Sequence, residues 1–166
     1  TGRAYDYISK TELSVDDFRI TSPSWFLKQL EYIYFCGNYG DPIVAKDLLS
    51  ILEYVWEQNP KLSVKVHSNC SVRDKIWWKK FAELTHNKKF TLIASVDGAS
   101  QSTQELYRVN TNFERIMQNL KTFISYNGKV EWRYIIFKHN EHEVSTAEQL
   151  SKDIGCINFR SYRVHF

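Results

Sequence analysis

The feature that most constrains this chain is an alternation. Five short runs rich in β-branched and aromatic residues recur along it, Tyr32–Cys36 (YIYFC), Leu62–His67 (LSVKVH), Phe90–Val96 (FTLIASV), Val130–Phe137 (VEWRYIIF) and Cys156–Ser161 (CINFRS). Their starts lie roughly 26 to 40 residues apart, room for a strand, a crossover helix and a return. The intervening segments read as helices. The order β-α-β-α-β-α-β-α-β predicts parallel strands joined by right-handed crossovers, in an open α/β sheet or a β/α barrel.

Four helices are expected from their start and stop signals. DPIVAKDLLSILEYVWEQNP places Asp41 at a cap and Pro42 at the first helical position, with Ala45, Leu48, Leu49, Leu52, Val55 and Trp56 as one apolar stripe. SVRD, Ser71 to Asp74, has the capping-box pattern, and Ile76, Trp77, Phe81 and Leu84 are its expected buried face. TNFE, Thr111 to Glu114, has the same capping-box pattern and opens a stripe of Phe113, Ile116, Met117, Leu120, Phe123 and Ile124 that Asn127-Gly128 stops. STAE, Ser145 to Glu148, starts the last helix and Gly155 ends it.

A chain of 166 residues suits one domain, here spanning residues 1–166. Six glycines and three prolines argue against disorder and against a turn-dense β-sandwich. The net charge of +3 is too mild to imply nucleic acid, and the pairs Lys79-Lys80 and Lys88-Lys89 read as solvated positions. Cys36, Cys70 and Cys156 are odd in number, far apart and in no CxxC pairing, which points to a reduced, cytoplasmic chain without a disulfide framework. No apolar run approaches transmembrane length, so no membrane partner is expected.

In both open sheets and barrels of this type, chemistry sits at the carboxyl ends of the strands. The first such end is GNYGDP. Gly37 and Gly40 let backbone approach a ligand, Asn38 and Tyr39 lie between them, and Asp41 could accept an ammonium or simply cap the helix. Neither a Walker A nor a GxGxxG pattern is present. SVDG brings Ser95 and Asp97 to the third strand end, where they could bind sugar hydroxyls or merely turn the chain. Arg108 follows and could meet a carboxylate. HNEH, His139 to His142, reads as a solvated loop in preference to a metal site, because no distant third ligand is evident.

Taken together, IYFCGNYGDPI, SNCS, SVDG, YRVN with NFERIMQNLKTF, and YIIFKHN resemble the radical S-adenosylmethionine (SAM) family. Their order is similar to the second through sixth strands of that family's partial β/α barrel, over roughly Phe18 to the end. GNYGDP resembles its GGEP element, with Asp41 in place of Glu. The resemblance implies a partial, incomplete TIM-like barrel of about five strands and SAM as ligand. It implies that the backbone of Gly37–Gly40 and the Asp41 side chain receive the amino group of the SAM methionine. Ser95 and Asp97 would lie near its ribose or carboxylate, and Arg108 near its carboxylate. The Asn140 region and the stretch Phe159–Tyr162, including Arg160, would flank its adenine.

The family's CxxxCxxC loop, which holds a 4Fe–4S cluster, is not in the sequence. Thr1 lies 36 residues before Gly37, so the chain is expected to be a radical SAM core truncated just after that loop, with the cluster belonging to the full-length parent. The parent would cleave SAM reductively to methionine and a 5′-deoxyadenosyl radical, and this chain alone would be inactive. The alternatives are a clusterless domain that binds SAM or another small ligand, and a purely structural piece. Open sheet edges predict a homodimer.

Overall fold

In the computed structural model the described residues are 11–37 and 40–163. They form one five-stranded parallel sheet in the order β1-β2-β3-β4-β5, with β1 Tyr32–Phe35, β2 Ser63–Ser68, β3 Phe90–Ser95, β4 Val130–Ile136 and β5 Asn158–Arg163. Two short helices, α1 Val15–Thr21 and α2 Ser24–Leu27, precede β1. The crossovers are α3 Leu48–Gln58, α4 Lys75–Thr85, α5 Gln101–Tyr107 with α6 Phe113–Ser125, and α7 Val144–Asp153. The sheet is curved but not closed, a partial TIM-like barrel as expected. Among the described residues the outer edges of β1 and β5 have no strand partner.

The two faces of the sheet differ. Val64, Val66, Leu92, Ala94, Val130, Trp132 and Tyr134 are all fully buried, and these alternate positions lie against the helices. Behind them Trp78, Phe81, Phe90 and Phe123 form an aromatic cluster, with Phe81 centred 5.0 Å from Phe123 and 5.3 Å from Phe90, spacings typical of tilted and edge-on rings. The opposite, inner face carries Tyr34, Lys65, His67, Ser95, Arg133 and Arg160. Parallel sheets covered on both sides read as continuous apolar runs. The alternation of charged and apolar residues in β2 and β4 therefore marks a sheet packed by helices on one face only.

The helix starts depart from expectation in four places, the first being α6, which is capped by Asn112 accepting from the Arg115 N–H and not by Thr111, whose hydroxyl donates to the Arg108 carbonyl. After Asp41 the chain makes a 3₁₀ turn, Pro42–Val44, and α3 begins only at Leu48. The reason is Arg73, whose guanidinium takes the carbonyls of Ile43, Val44 and Ala45 at 2.6 to 2.9 Å, acceptors that a continuous helix would have used. The cap of α4 is Asp74, which accepts from the Trp77 N–H at 2.8 Å, and not Ser71. Ser71 instead bonds to the Asn69 side chain. The buried face of α4 is accordingly Trp78, Phe81, Ala82 and Thr85, leaving Ile76 66% exposed. Finally, α7 starts at Val144, behind a 3₁₀ turn, so Ser145 lies within the helix. Its end at Gly155, φ +89°, is as expected.

Candidate functional site at the strand ends

The carboxyl ends of β1 to β4 meet in a set of tightly bonded loops. At β1, Gly37 and Gly40 approach so closely that a Cβ on Gly37 would strike the Gly40 carbonyl oxygen. Only glycine allows that approach. Asn38 and Tyr39 lie outside the described residues. Asp41 then spends its carboxylate within the fold. Oδ1 accepts from the Ile43 N–H at 3.1 Å, capping the 3₁₀ turn. Oδ2 accepts from the Asn69 N–H at 2.8 Å and the Ser68 hydroxyl at 3.0 Å, tying the end of β1 to the end of β2. Three bonds leave a carboxylate one acceptor position. Burial pushes the Asp41 carboxyl above its ordinary value, against the pull of those hydrogen bonds and of Arg108.

The end of β3 is organised by Asp97, which is fully buried. Its Oδ2 takes the Arg108 Nε–H at 2.7 Å, and its Oδ1 takes the Ile135 N–H at 2.6 Å. Its own N–H donates to Gln104 Oε1 at 2.9 Å, and its carbonyl accepts from Asn140 Nδ2 at 2.8 Å. Asn140 is fully buried as well. It donates to the Ile135 carbonyl and accepts from the Phe137 N–H, closing the turn after β4. Asp97, Arg108 and Asn140, far apart in sequence, are thus one network spanning β3, α5 and β4. The Arg108 side chain is 28% exposed, and among the described residues only its Nε–H is committed.

Ser95 ends β3 on the inner face, in register with Arg133. Arg160 is not brought into the Asp97 network. It stands on β5, in register with Arg133, and its Nε lies 3.4 Å from Glu131 Oε2. Of the stretch Phe159–Tyr162, Phe159 faces the helices beside Trp132 and Tyr134, which leaves Arg160 and Tyr162 on the inner face.

Several residues of the site have no motif in the sequence. Gln104 is fully buried under Asp97. Glu143 accepts from the Ala99 N–H, the Ser100 hydroxyl and the Thr103 hydroxyl, clamping the loop after β3. Burial raises the Glu143 carboxyl, but these bonds prevail and hold it below its ordinary value. In HNEH, His139 stacks on Phe137 at 5.4 Å with 9° between the rings. Among the described residues no group of three or more His, Cys, Asp or Glu is placed to hold a metal ion.

The residues fit SAM better than they fit an iron–sulfur cluster. A Cβ on Gly40 would meet nothing within 4 Å, so this end of the loop is open to a ligand, with one free acceptor on Asp41 and uncommitted guanidinium N–H groups on Arg108. The cysteines do not form a cluster site. Cys36 is exposed beside Gly37, Cys70 is buried and Cys156 half-buried.

No family model matches the sequence, and no curated protein does. Solved structures do match in fold. SuiB of Streptococcus suis, bound to precursor peptide SuiA, superposes with a TM-score of 0.73 at 12% identity over 92% of this chain and 33% of SuiB. SuiB bound to S-adenosylmethionine gives 0.67 at 13% identity, over 81% of this chain and 30% of that one. The anSMEcpe enzyme with bound AdoMet and Cp18Cys peptide gives 0.66 at 16% identity, over 89% and 42%. This chain therefore spans less than half the length of these proteins. At these identities the likeness is one of fold, and this chain shares with SuiB and anSMEcpe a partial β/α barrel, its own loop cluster lying at the strand ends.

Proposed function

We propose that this chain is the SAM-binding part of a radical SAM enzyme, whose parent carries the 4Fe–4S cluster and performs reductive SAM cleavage on an unassigned substrate. One observation carries the reading. The Gly37–Gly40 turn, the Asp41 carboxylate and the Asp97–Arg108–Asn140 network, widely separated in sequence, stand at one end of one parallel sheet. That is where ligands bind in β/α folds. The Gly37–Gly40 backbone and Asp41 would receive the methionine ammonium, and Arg108 its carboxylate. Ser95 and Asp97 would border the ribose, although the Asp97 side chain already bonds Arg108 and Ile135. Asn140 would shape the adenine wall through the turn it holds, with Arg160 at its margin.

The missing cysteine triplet supports a division of labour in which this chain binds and orients SAM while electron delivery comes from elsewhere in the parent. The same observation supports the second reading, a clusterless domain that binds SAM or another small ligand. Because relatives by fold were crystallised with peptides, a peptide substrate is proposed for the parent. Pairing of two copies along the open edges of β1 and β5 is a further proposal, read by sedimentation velocity.

Titration calorimetry with SAM tests the main reading. One SAM is expected to bind per chain, and Arg108→Gln and Gly37→Ala are each expected to weaken it tenfold or more. Circular dichroism would confirm that both variants fold. No binding, or equal binding by the variants, would overturn it. Under dithionite the isolated chain is expected to yield no 5′-deoxyadenosine.

A further inference from the structure

Beyond the strand-end loops, the inner face of the sheet holds a second group of charges. Arg133 on β4 and Arg160 on β5 are partners in register, so their side chains rise side by side. Adjacent parallel strands are about 4.8 Å apart. Both guanidinium groups turn to a single acid, Glu131, two residues before Arg133 on the same face. Arg133 Nε donates to its Oε1 at 2.7 Å, and Arg160 Nε lies 3.4 Å from its Oε2. Asn158 Nδ2 also reaches Oε2, at 3.4 Å.

Two cations share one carboxylate, which leaves a positive charge in excess. Among the described residues neither guanidinium has any other hydrogen-bond partner. The remaining N–H groups are uncommitted among the described residues, and the Arg160 side chain is 54% exposed. Nearby His67 does not readily add to that excess, since burial and then the charges of Arg133 and Lys65 hold its imidazole below the ordinary value. A planar fork with unspent donors matches a carboxylate in bidentate geometry. Glu131 meets each guanidinium at Nε alone, one oxygen to each arginine.

We propose that Arg133 and Arg160 bind a carboxylate group of the substrate, on the inner face of the sheet, with Glu131 setting the two guanidinium groups side by side. This rests on the reading of the strand ends as a SAM site, because Ser95, in the same register row on β3, joins the two regions. A carboxylate held at Arg133 would place the rest of the substrate towards the SAM end. The substrate class is thus a free carboxylic acid or a peptide with an acidic side chain.

The test is arginine Nε–Hε NMR of the full chain, titrated separately with succinate, its uncharged diamide, a blocked triglutamate peptide and inorganic phosphate. Saturable shifts of the Arg133 and Arg160 signals with succinate or triglutamate, absent with the diamide, are expected. The tighter of the two carboxylates tells free acid from peptide. Arg160→Gln, an exposed position that should leave the fold intact, is expected to weaken binding tenfold or more. Glu131→Gln is expected to tighten it at least threefold, because the internal competitor loses its charge, whereas a purely structural Glu131 would give no tightening. No shift with either carboxylate, an equal shift with the diamide, or phosphate binding tenfold tighter would overturn the site. SAM binding is read in parallel by calorimetry. If SAM binds and the carboxylates do not, this inference alone fails. If carboxylates bind and SAM does not, assignment of the anion to a radical SAM substrate is overturned.

Discussion

Arg108 reaches across 2.7 Å to Asp97, and Asp97 has no exposure of its own, so the arginine is the only cationic partner of a buried acid among the described residues. Breaking such a pair from one side leaves an uncompensated charge, which costs about 3–5 kcal/mol. Arg108→Gln is placed towards the lower end of that range, because Asp97 keeps its bond from the Ile135 N–H. Asp97→Ala strands that N–H as well as the guanidinium and is expected to be the more damaging. Urea denaturation of both variants checks the order. Equal and small losses would mean that the network does not hold the strand ends together.

The glycines separate fold from ligand. A Cβ at Gly98 would meet the Gln104 backbone and stand 2.7 Å from Thr103 Oγ1, inside a bonded helix start. Gly98→Ala is therefore expected to cost about 1–3 kcal/mol, as overpacking does. Gly37→Ala disturbs only the Gly37–Gly40 loop. It is expected to lower SAM affinity far more than melting temperature. Thermal melts with and without SAM check both, and a Gly37→Ala protein as unstable as Gly98→Ala would contradict the distinction.

How far the sequence could be read follows from what each signal depends on. Strand positions were legible within two residues, because β-branched runs bounded by helical stripes are local signals. Gly155 and Asn127, both at positive φ, marked helix ends for the same reason. The start of α3 was not legible, because it depends on Arg73, some 30 residues away, taking three carbonyls. The face of α4 slipped by one residue because Asp74 and Ser71 are equally good caps in isolation, and only Asn69 decides between them. Asp97, Arg108 and Asn140 stood out as polar residues at strand ends, but that they share one network is a tertiary fact. Glu131 and Arg133 were hidden in plain alternation. Period two in a parallel sheet was their signal, since it announces a face that no helix covers.

Acid should loosen the molecule through Glu131 and Glu143. For Glu131, burial raises the carboxyl, but the Arg133 bond and charge, with Arg160, prevail, and the net direction is downward from 4.5. Glu143 is also lowered from 4.5. A depressed acid binds its proton less readily when folded, so its stabilisation is present above about pH 4.5 and is lost as pH falls through the folded values. Asp41, raised by burial from 3.8, has the opposite sign and regains stability as pH falls. Glu143→Gln is expected to cost about 1 kcal/mol at pH 7, solvent screening included. Its deficit should shrink as pH drops below 4.5. Denaturant midpoints of both proteins between pH 7 and 3 check this, and a constant deficit would contradict it.

The three thiols should report the fold by their reactivity. Burial raises the Cys70 thiol well above 9.0, with the Asp41 charge adding to it, and pushes Cys156 up to about 12. The thiolate is the reactive species, so both are expected to be inert at pH 8. Cys36 is exposed, next to Gly37. Iodoacetamide is expected to label one cysteine per native chain and three in denaturant, with peptide mass spectrometry placing the native label on Cys36. Its position beside Gly37 adds a second readout. If SAM occupies the Gly37–Gly40 loop, saturating SAM should slow Cys36 labelling several-fold while leaving the denatured rate unchanged. An unchanged native rate at saturation would place the ligand away from the end of β1, and native labelling of Cys70 would contradict the packing of the loop after β2.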